Sequence, residues 1–138
     1  MVLNLRSGAF ADCINLKAAS FPNCTNICMG AFSNCSSLTT ISFPECAYIA
    51  FAAFYSCYNL DNVFFPKCLS IENYAFSTCY SLTTISFPRC YIIGASAFWG
   101  CNNLTSVFFP KCTSINGYAF CSCTNLTAVS FPECTYIG

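Results

Sequence analysis

Apolar and polar positions follow one another along this chain on a beat of 22 residues that never slips. Ala-Phe stands at Ala9-Phe10, Ala31-Phe32, Ala53-Phe54, Ala75-Phe76, Ala97-Phe98 and Ala119-Phe120. Phe-Pro keeps the same beat at Phe21-Pro22, Phe43-Pro44, Phe65-Pro66, Phe87-Pro88, Phe109-Pro110 and Phe131-Pro132. Leu16, Leu38, Leu60, Leu82, Leu104 and Leu126 form a third column, and Ala19, Ile41, Val63, Ile85, Val107 and Val129 a fourth. A fixed period of this length marks a solenoid, in which each unit buries its apolar edge only against its neighbours. Within one unit, Ile41 and Phe43 lie two apart with a polar residue between them, which predicts a short strand with two inward side chains. Pro44 ends that strand because it has no N–H for the ladder. Such strands, stacked coil on coil, make a parallel sheet with ~4.8 Å between coils. The segment around Ala75-Phe76 is too short for a long helix and is predicted as a single helical or 3₁₀ turn.

A length of 138 residues suits one domain, so residues 1–138 are expected to form a single repeat domain. Met1 to Arg6 match Glu133 to Gly138 in phase, so neither end reads as a distinct cap. The chain is 56% hydrophobic and 7% charged, yet no apolar run approaches the ~18 residues of a membrane span. The apolar residues are periodic and belong to a continuous core, and no membrane insertion is expected. Five basic and five acidic residues cancel, so nothing points to nucleic acid or an anionic membrane. A weakly charged surface favours association with other protein surfaces, copies of the same chain included. The first six residues lack the basic start and long apolar stretch of a signal peptide, which leaves the compartment open.

The strand block Leu38-x-x-Ile41-x-Phe43 resembles the Leu-x-x-Leu-x-Leu motif of leucine-rich repeats. The closer match is the BspA-like (Treponema pallidum type) subclass, whose order is Cys-x-x-Leu-x-x-Val/Ile-x-Leu/Phe-Pro, an Ile five residues after the Pro, then Ala-Phe. All six coils carry that order, from Cys35, Leu38, Ile41, Phe43-Pro44, Ile49 and Ala53-Phe54 onward. The resemblance implies a leucine-rich-repeat β-solenoid of six 22-residue coils, with a parallel sheet on the concave face and short turns or 3₁₀ segments on the convex one. It also implies a surface or secreted adhesion role, with host or neighbouring-cell surface proteins as partners. One departure is a second Cys in each repeat, two residues after the Pro.

The fourteen cysteines sort into two ladders and two strays. Cys13, Cys35, Cys57, Cys79, Cys101 and Cys123 form the first ladder, and Cys24, Cys46, Cys68, Cys90, Cys112 and Cys134 the second; Cys28 and Cys121 stand outside both. The favoured reading is structural: small buried residues at tight turns, where the first ladder helps satisfy backbone groups at the bend. Disulfides between vertical neighbours are a rival, with a suitable coil spacing but parallel Cβ vectors that suit the S–S torsion poorly. A thiol ladder for soft metal ions is a second rival, although the chain has no Cys-x-x-Cys pair and no histidine.

Outward strand positions read Ser20, Ser42, Phe64, Ser86, Phe108, Ser130, and the position three further on reads Asn23, Glu45, Lys67, Arg89, Lys111, Glu133. Phe64 and Phe108 are aromatic where the strand faces solvent, and Lys67, Arg89 and Lys111 lie near them; together they form the candidate protein-binding surface on the concave face. The same alternation suggests a true period of 44, from a duplicated pair of coils. On the other side, Tyr55, Tyr58, Tyr80 and Trp99 read as scattered surface residues, with a convex aromatic patch as the second reading. Four Asn-x-Ser/Thr sequons, beginning at Asn23, Asn34, Asn103 and Asn125, arise from the repeat itself. Catalysis is not expected: there is no histidine, no phosphate-binding Gly loop and no cluster of carboxylates, so no catalytic residue, cofactor or metal ligand is assigned. The expected function is a non-enzymatic protein-interaction scaffold. Its alternative is a filament built by end-to-end stacking of uncapped solenoids, whose open ends are templates for another copy.

Overall fold

The computed structural model describes residues 3–138. Short strands follow in order: β1 (Leu3–Leu5), β2 (Ala18–Ser20), β3 (Cys24–Ile27), β4 (Thr40–Ser42), β5 (Tyr48–Ile49), β6 (Asn62–Phe64), β7 (Ser70–Ile71), β8 (Thr84–Ser86), β9 (Ile92–Ile93), β10 (Ser106–Phe108), β11 (Ser114–Ile115), β12 (Ala128–Ser130) and β13 (Tyr136–Ile137). Every pairing is parallel and links one coil to the next, so the chain is a β-solenoid with no helix among the described residues.

The sheet expected at Ile41–Phe43 forms, but in pieces. β2 pairs with β4, β6 with β8, and β10 with β12. The junctions from β4 to β6 and from β8 to β10 lack the ladder. In each closed pair a threonine of the later coil bonds back to the earlier one: Thr39 Oγ1 to Lys17 O at 3.0 Å, Thr83 Oγ1 to Asp61 Oδ1 at 2.8 Å, and Thr127 Oγ1 to Thr105 O at 3.1 Å. The 44-residue period suggested by the outward column is thus a period of hydrogen bonding.

The longest sheet lies elsewhere. β1, β3, β5, β7, β9, β11 and β13 form one continuous seven-stranded sheet on the isoleucine column five residues after each Pro. Ile27, Ile49, Ile71, Ile93 and Ile115 are buried along it. These strands run mostly two residues per coil, too short for a period-two pattern to reveal them, so the sequence shows a core column and hides a sheet.

The Ala-Phe segment folds as consecutive turns, not as a helix. The Phe32 N–H donates to Ala53 O at 2.8 Å and Phe54 N–H to Ala75 O at 2.8 Å, and the same bond recurs along the stack. Two residues per coil have positive φ: Gly8, Gly30, Ala52, Tyr74, Ser96 and Tyr118 in one column, and Asp12, Asn34, Ser56, Thr78, Gly100 and Ser122 in the other. Glycine adopts this conformation without cost, whereas most L-residues lose about 1–2 kcal/mol there. Inter-coil hydrogen bonds hold the non-glycine members in place; Thr78 also donates to Ser77 O at 2.7 Å and lies 3.0 Å from Ser56 Oγ.

The core is two aromatic spines. Phe10, Phe32, Phe54, Phe76, Phe98 and Phe120 stack nearly parallel, with ring centroids 5.1 Å apart at Phe54–Phe76 and 5.3 Å at Phe98–Phe120. Phe21 to Phe131 form the second spine, and its rings meet the first edge-on, as at Phe76–Phe87, 5.9 Å and 63°. Offset or edge-on contacts of this kind add about 0.5–1.5 kcal/mol per pair beyond area burial.

Candidate functional site

Phe64 and Phe108 end β6 and β10, on the pleat face opposite Val63 and Val107. The inward valines are 3% exposed, whereas Phe64 is 61% and Phe108 57% exposed. Strand alternation alone therefore pushes both rings outward. The register pairs Phe64 with Ser86 and Phe108 with Ser130. Two coils at ~4.8 Å each put the two phenylalanines about 10 Å apart along the stack, with Ser86 between them.

Beside Phe64, at the open β4–β6 junction, lies an open hollow of about 550 Å³ lined by residues that include Thr40, Ile41, Asp61, Val63, Phe64 and Ile85. Its walls are mostly apolar, and two of its polar side chains are engaged with the neighbouring coil: Thr83 holds Asp61, and Thr84 Oγ1 donates to Asn62 Oδ1. The hollow offers contact area and a few acceptors, the makings of a recognition surface.

The cation column sits in the turn after each strand, past the Pro. Lys67 Nζ meets Glu45 at 2.7 Å and Lys111 Nζ meets Glu133 at 2.6 Å, because the 22-residue offset makes column neighbours into spatial neighbours. Both pairs are exposed and contribute about 0–1 kcal/mol each to stability. Arg89, between them, makes no ion pair among the described residues. Of the three predicted cations, only Arg89 is thus left without an acidic partner.

All fourteen thiols are free. First-ladder thiols donate to backbone carbonyls of the preceding coil: Cys35 Sγ to Phe10 O at 3.0 Å, Cys57 to Phe32 O at 3.2 Å, Cys79 to Phe54 O at 3.3 Å, Cys101 to Phe76 O at 3.3 Å and Cys123 to Phe98 O at 3.2 Å. Second-ladder thiols donate within their own turn, as Cys46 to Tyr48 O at 3.4 Å and Cys90 to Ile92 O at 3.2 Å. Burial pushes the Cys46 thiol up to about 12 and Cys35, Cys112 and Cys123 up to about 11, from an ordinary 9.0. Burial also raises Cys57, Cys79 and Cys101 strongly, and the neighbouring Cys90 thiol together with burial raises Cys68. Thiols held protonated are poor nucleophiles and poor metal ligands. Among the described residues no three His, Cys, Asp or Glu side chains are grouped to hold a metal ion, so the soft-metal reading has no coordination geometry behind it. Likewise, no helix of the described residues is long and apolar enough to cross a membrane.

Parallel coils, the inward Leu, Ile and Phe columns and an outward strand face define a leucine-rich-repeat solenoid. A family model described as the BspA type leucine rich repeat region matches residues 3–127 in six copies, and the chain belongs to that family. The crystal structure of a T. pallidum leucine-rich repeat protein matches with a TM-score of 0.89 and 30% identity, over 94% of this chain and 63% of that one. A leucine-rich repeat protein from Bacteroides ovatus matches with a TM-score of 0.67 and 26% identity, over 96% of this chain and 42% of that one. The chain thus spans less than two thirds of either structure. No curated protein matches it. Membership of this family supports a protein-interaction scaffold in general.

Proposed function

We propose that the chain is an adhesion-type repeat region of a surface or secreted protein, which grips a protein on a host or neighbouring cell through the face bearing Phe64 and Phe108. The observation that carries the reading is the exposure of these two rings, 61% and 57%, at equivalent positions two coils apart on the same strand face of the solenoid. Exposed aromatics on a preorganised scaffold anchor interfaces at low entropic cost, and a nearby unpaired guanidinium adds polar grip. Arg89 lies in the coil between the two rings. The surface placement itself comes from the family resemblance.

The test uses beads coated with the chain or with a Phe64→Ser, Phe108→Ser variant, applied to intact cells before and after protease stripping of their surface. Wild-type beads should attach, and attachment should fall about tenfold both in the variant and after stripping, a loss of about 1.4 kcal/mol or more. Equal attachment by the two bead types refutes the reading. Both substitutions recreate the serine of Ser42 and Ser86, so the fold should survive them.

The filament alternative draws on the last coil, where Val129, Tyr136 and Ile137 are 60%, 57% and 70% exposed. That is also the surface a further coil of a longer solenoid would cover, so the alternative ranks second.

A further inference from the structure

We propose that the Ala-Phe turn face carries a slot for a neutral sugar ring, walled by Tyr55, Tyr74 and Trp99 and floored by Ser77 and Ser96. The five residues line a pocket of about 260 Å³. It arises where small residues interrupt two aromatic columns. One column reads Tyr55, Ser77, Trp99 in successive coils, and the other reads Tyr74, Ser96, Tyr118. With ~4.8 Å per coil, Tyr55 and Trp99 are rooted about 10 Å apart, and only the Ser77 side chain stands between them. A ring entering the gap needs about 3.5–4.0 Å to each wall, so one flat, saturated ring fits and two do not.

The chemistry of the slot selects the class of ligand. No charged side chain lines it, so an anion would find no counter-charge there, and a cation, though drawn to the ring faces, would find no carboxylate and leave the serine floor as its only polar contact. The walls are half-exposed aromatic faces, with Tyr55 37%, Tyr74 41% and Trp99 39% exposed. Their electron-rich faces attract the weakly positive C–H groups of a pyranose. The floor is polar: Ser77 and Ser96 are only 1% and 7% exposed, and neither hydroxyl is hydrogen-bonded to a described residue, unlike Ser56, which is bonded to Thr78. Among the described residues no fully buried side-chain polar atom lacks a partner, so each of these unpaired hydroxyls keeps some exposure, and both serines line the pocket. A hydroxyl is donor and acceptor at once and can meet the hydroxyl groups of a sugar in either sense. Apolar walls with a few convergent polar groups are the usual make-up of a small-molecule site. A purely aromatic guest would leave the two floor hydroxyls unmatched. The slot is independent of the Phe64 surface, and either can fail alone.

Trp99 is the sole tryptophan, so its emission reports on the slot directly. The purified chain is titrated with maltose, cellobiose, lactose, mannobiose and N,N′-diacetylchitobiose, following Trp99 fluorescence and, in parallel, heat of binding. At least one sugar should give a saturable change. Ser77→Tyr closes the slot, and aromatic residues stacked coil on coil are already accommodated at Tyr58–Tyr80, 5.2 Å apart. The variant should keep its far-ultraviolet spectrum and weaken the sugar at least about tenfold. If Ser77→Tyr does not fold, Ser96→Tyr is the substitute, since Tyr74 and Tyr118 occupy that column at the same positive φ. Neither heat nor emission change with any of the five sugars overturns the proposal. So does unchanged binding by the folded variant, or a saturable response to p-cresol with the sugars silent.

Discussion

Raising the pH above 9 should unfold this solenoid through its buried thiols. In the unfolded chain a cysteine titrates near its ordinary 9.0; folded, Cys46 is pushed up to about 12, and Cys57, Cys68, Cys79 and Cys101 rise strongly as well. A thiol with a raised folded value favours the native state fully below the unfolded value, and that contribution is lost as pH climbs toward the folded one. Each such thiol changes stability by about 1 kcal/mol between pH 9 and 10, approaching about 1.4 kcal/mol per pH unit once the unfolded thiol is fully ionised. Five of them sum to about 5 kcal/mol between pH 9 and 10 and about 7 kcal/mol from neutral pH to pH 10, against a typical domain stability of about 5–15 kcal/mol. Cys24, Cys35, Cys112 and Cys123, nearer the ends of the stack, are left out of the sum and only steepen it. The assay is guanidinium unfolding followed by far-ultraviolet circular dichroism, in phosphine reductant, at half-unit steps from pH 7 to 10.5. Stability should be flat to about pH 8 with respect to these thiols and then fall steeply. A Cys57→Ala, Cys79→Ala variant should be less stable at pH 7 but lose about 2 kcal/mol less of its stability between pH 9 and 10. A wild-type profile flat to pH 10, or an equal slope in the variant, refutes the assignment of these thiols as the buried protonated set.

Other consequences follow from the core and the coil junctions. Phe76→Ala empties a fully buried ring site flanked by Phe54 and Phe98 and should cost about 3–5 kcal/mol in the same unfolding assay, whereas Phe10→Ala, half-buried at the start of its spine, should cost clearly less. Equal costs would mean that the spine does not bear on stability as its burial implies. Gly94→Ala should destabilise by more than about 1 kcal/mol, because the new Cβ would lie 2.4 Å from Glu72 C and 2.5 Å from Asn73 N, both backbone atoms. A melting temperature within a degree of wild type would show that the two coils can separate freely there.

The sequence showed the architecture because the core repeats without a slip. The Leu, Ile and Phe columns needed no tertiary information, since each coil buries the same side chains as the next. The 44-residue period was legible too, in the alternation of Ser42 and Ser86 with Phe64 and Phe108. Other features were hidden for physical reasons. The isoleucine sheet escaped because two-residue strands carry no alternation. The left-handed columns escaped because Tyr74 and Thr78, in αL by virtue of their inter-coil bonds, mask the signal that Gly8, Gly30, Asn34 and Asp12 give in the same columns. Lys67 and Lys111 read as part of the binding surface, yet Glu45 and Glu133 stand one coil away in the same column and pair with them. The serine floor between Tyr55 and Trp99 was visible in its column, but smallness at Ser77 and Ser96 reads as a pocket only once the coil spacing is known.

The uneven hydrogen bonding of the two sheets has a mechanical consequence. One side of the rod is tied at every junction, while the other is tied only at every second, so the molecule resembles a chain of stiff two-coil links with a flexible seam between them. Flexing should concentrate where β4 meets β6 and where β8 meets β10. Amide hydrogen exchange measures this: the Phe43 and Phe87 N–H groups, beside the seams, should exchange faster than those of Phe65 and Phe109, which donate across closed junctions at 3.1 Å. Equal protection at the four sites would mean a uniformly stiff rod. With seams, the Phe64 face can change its curvature to follow a partner while the isoleucine sheet keeps its length, much as a watch strap bends around a wrist without stretching.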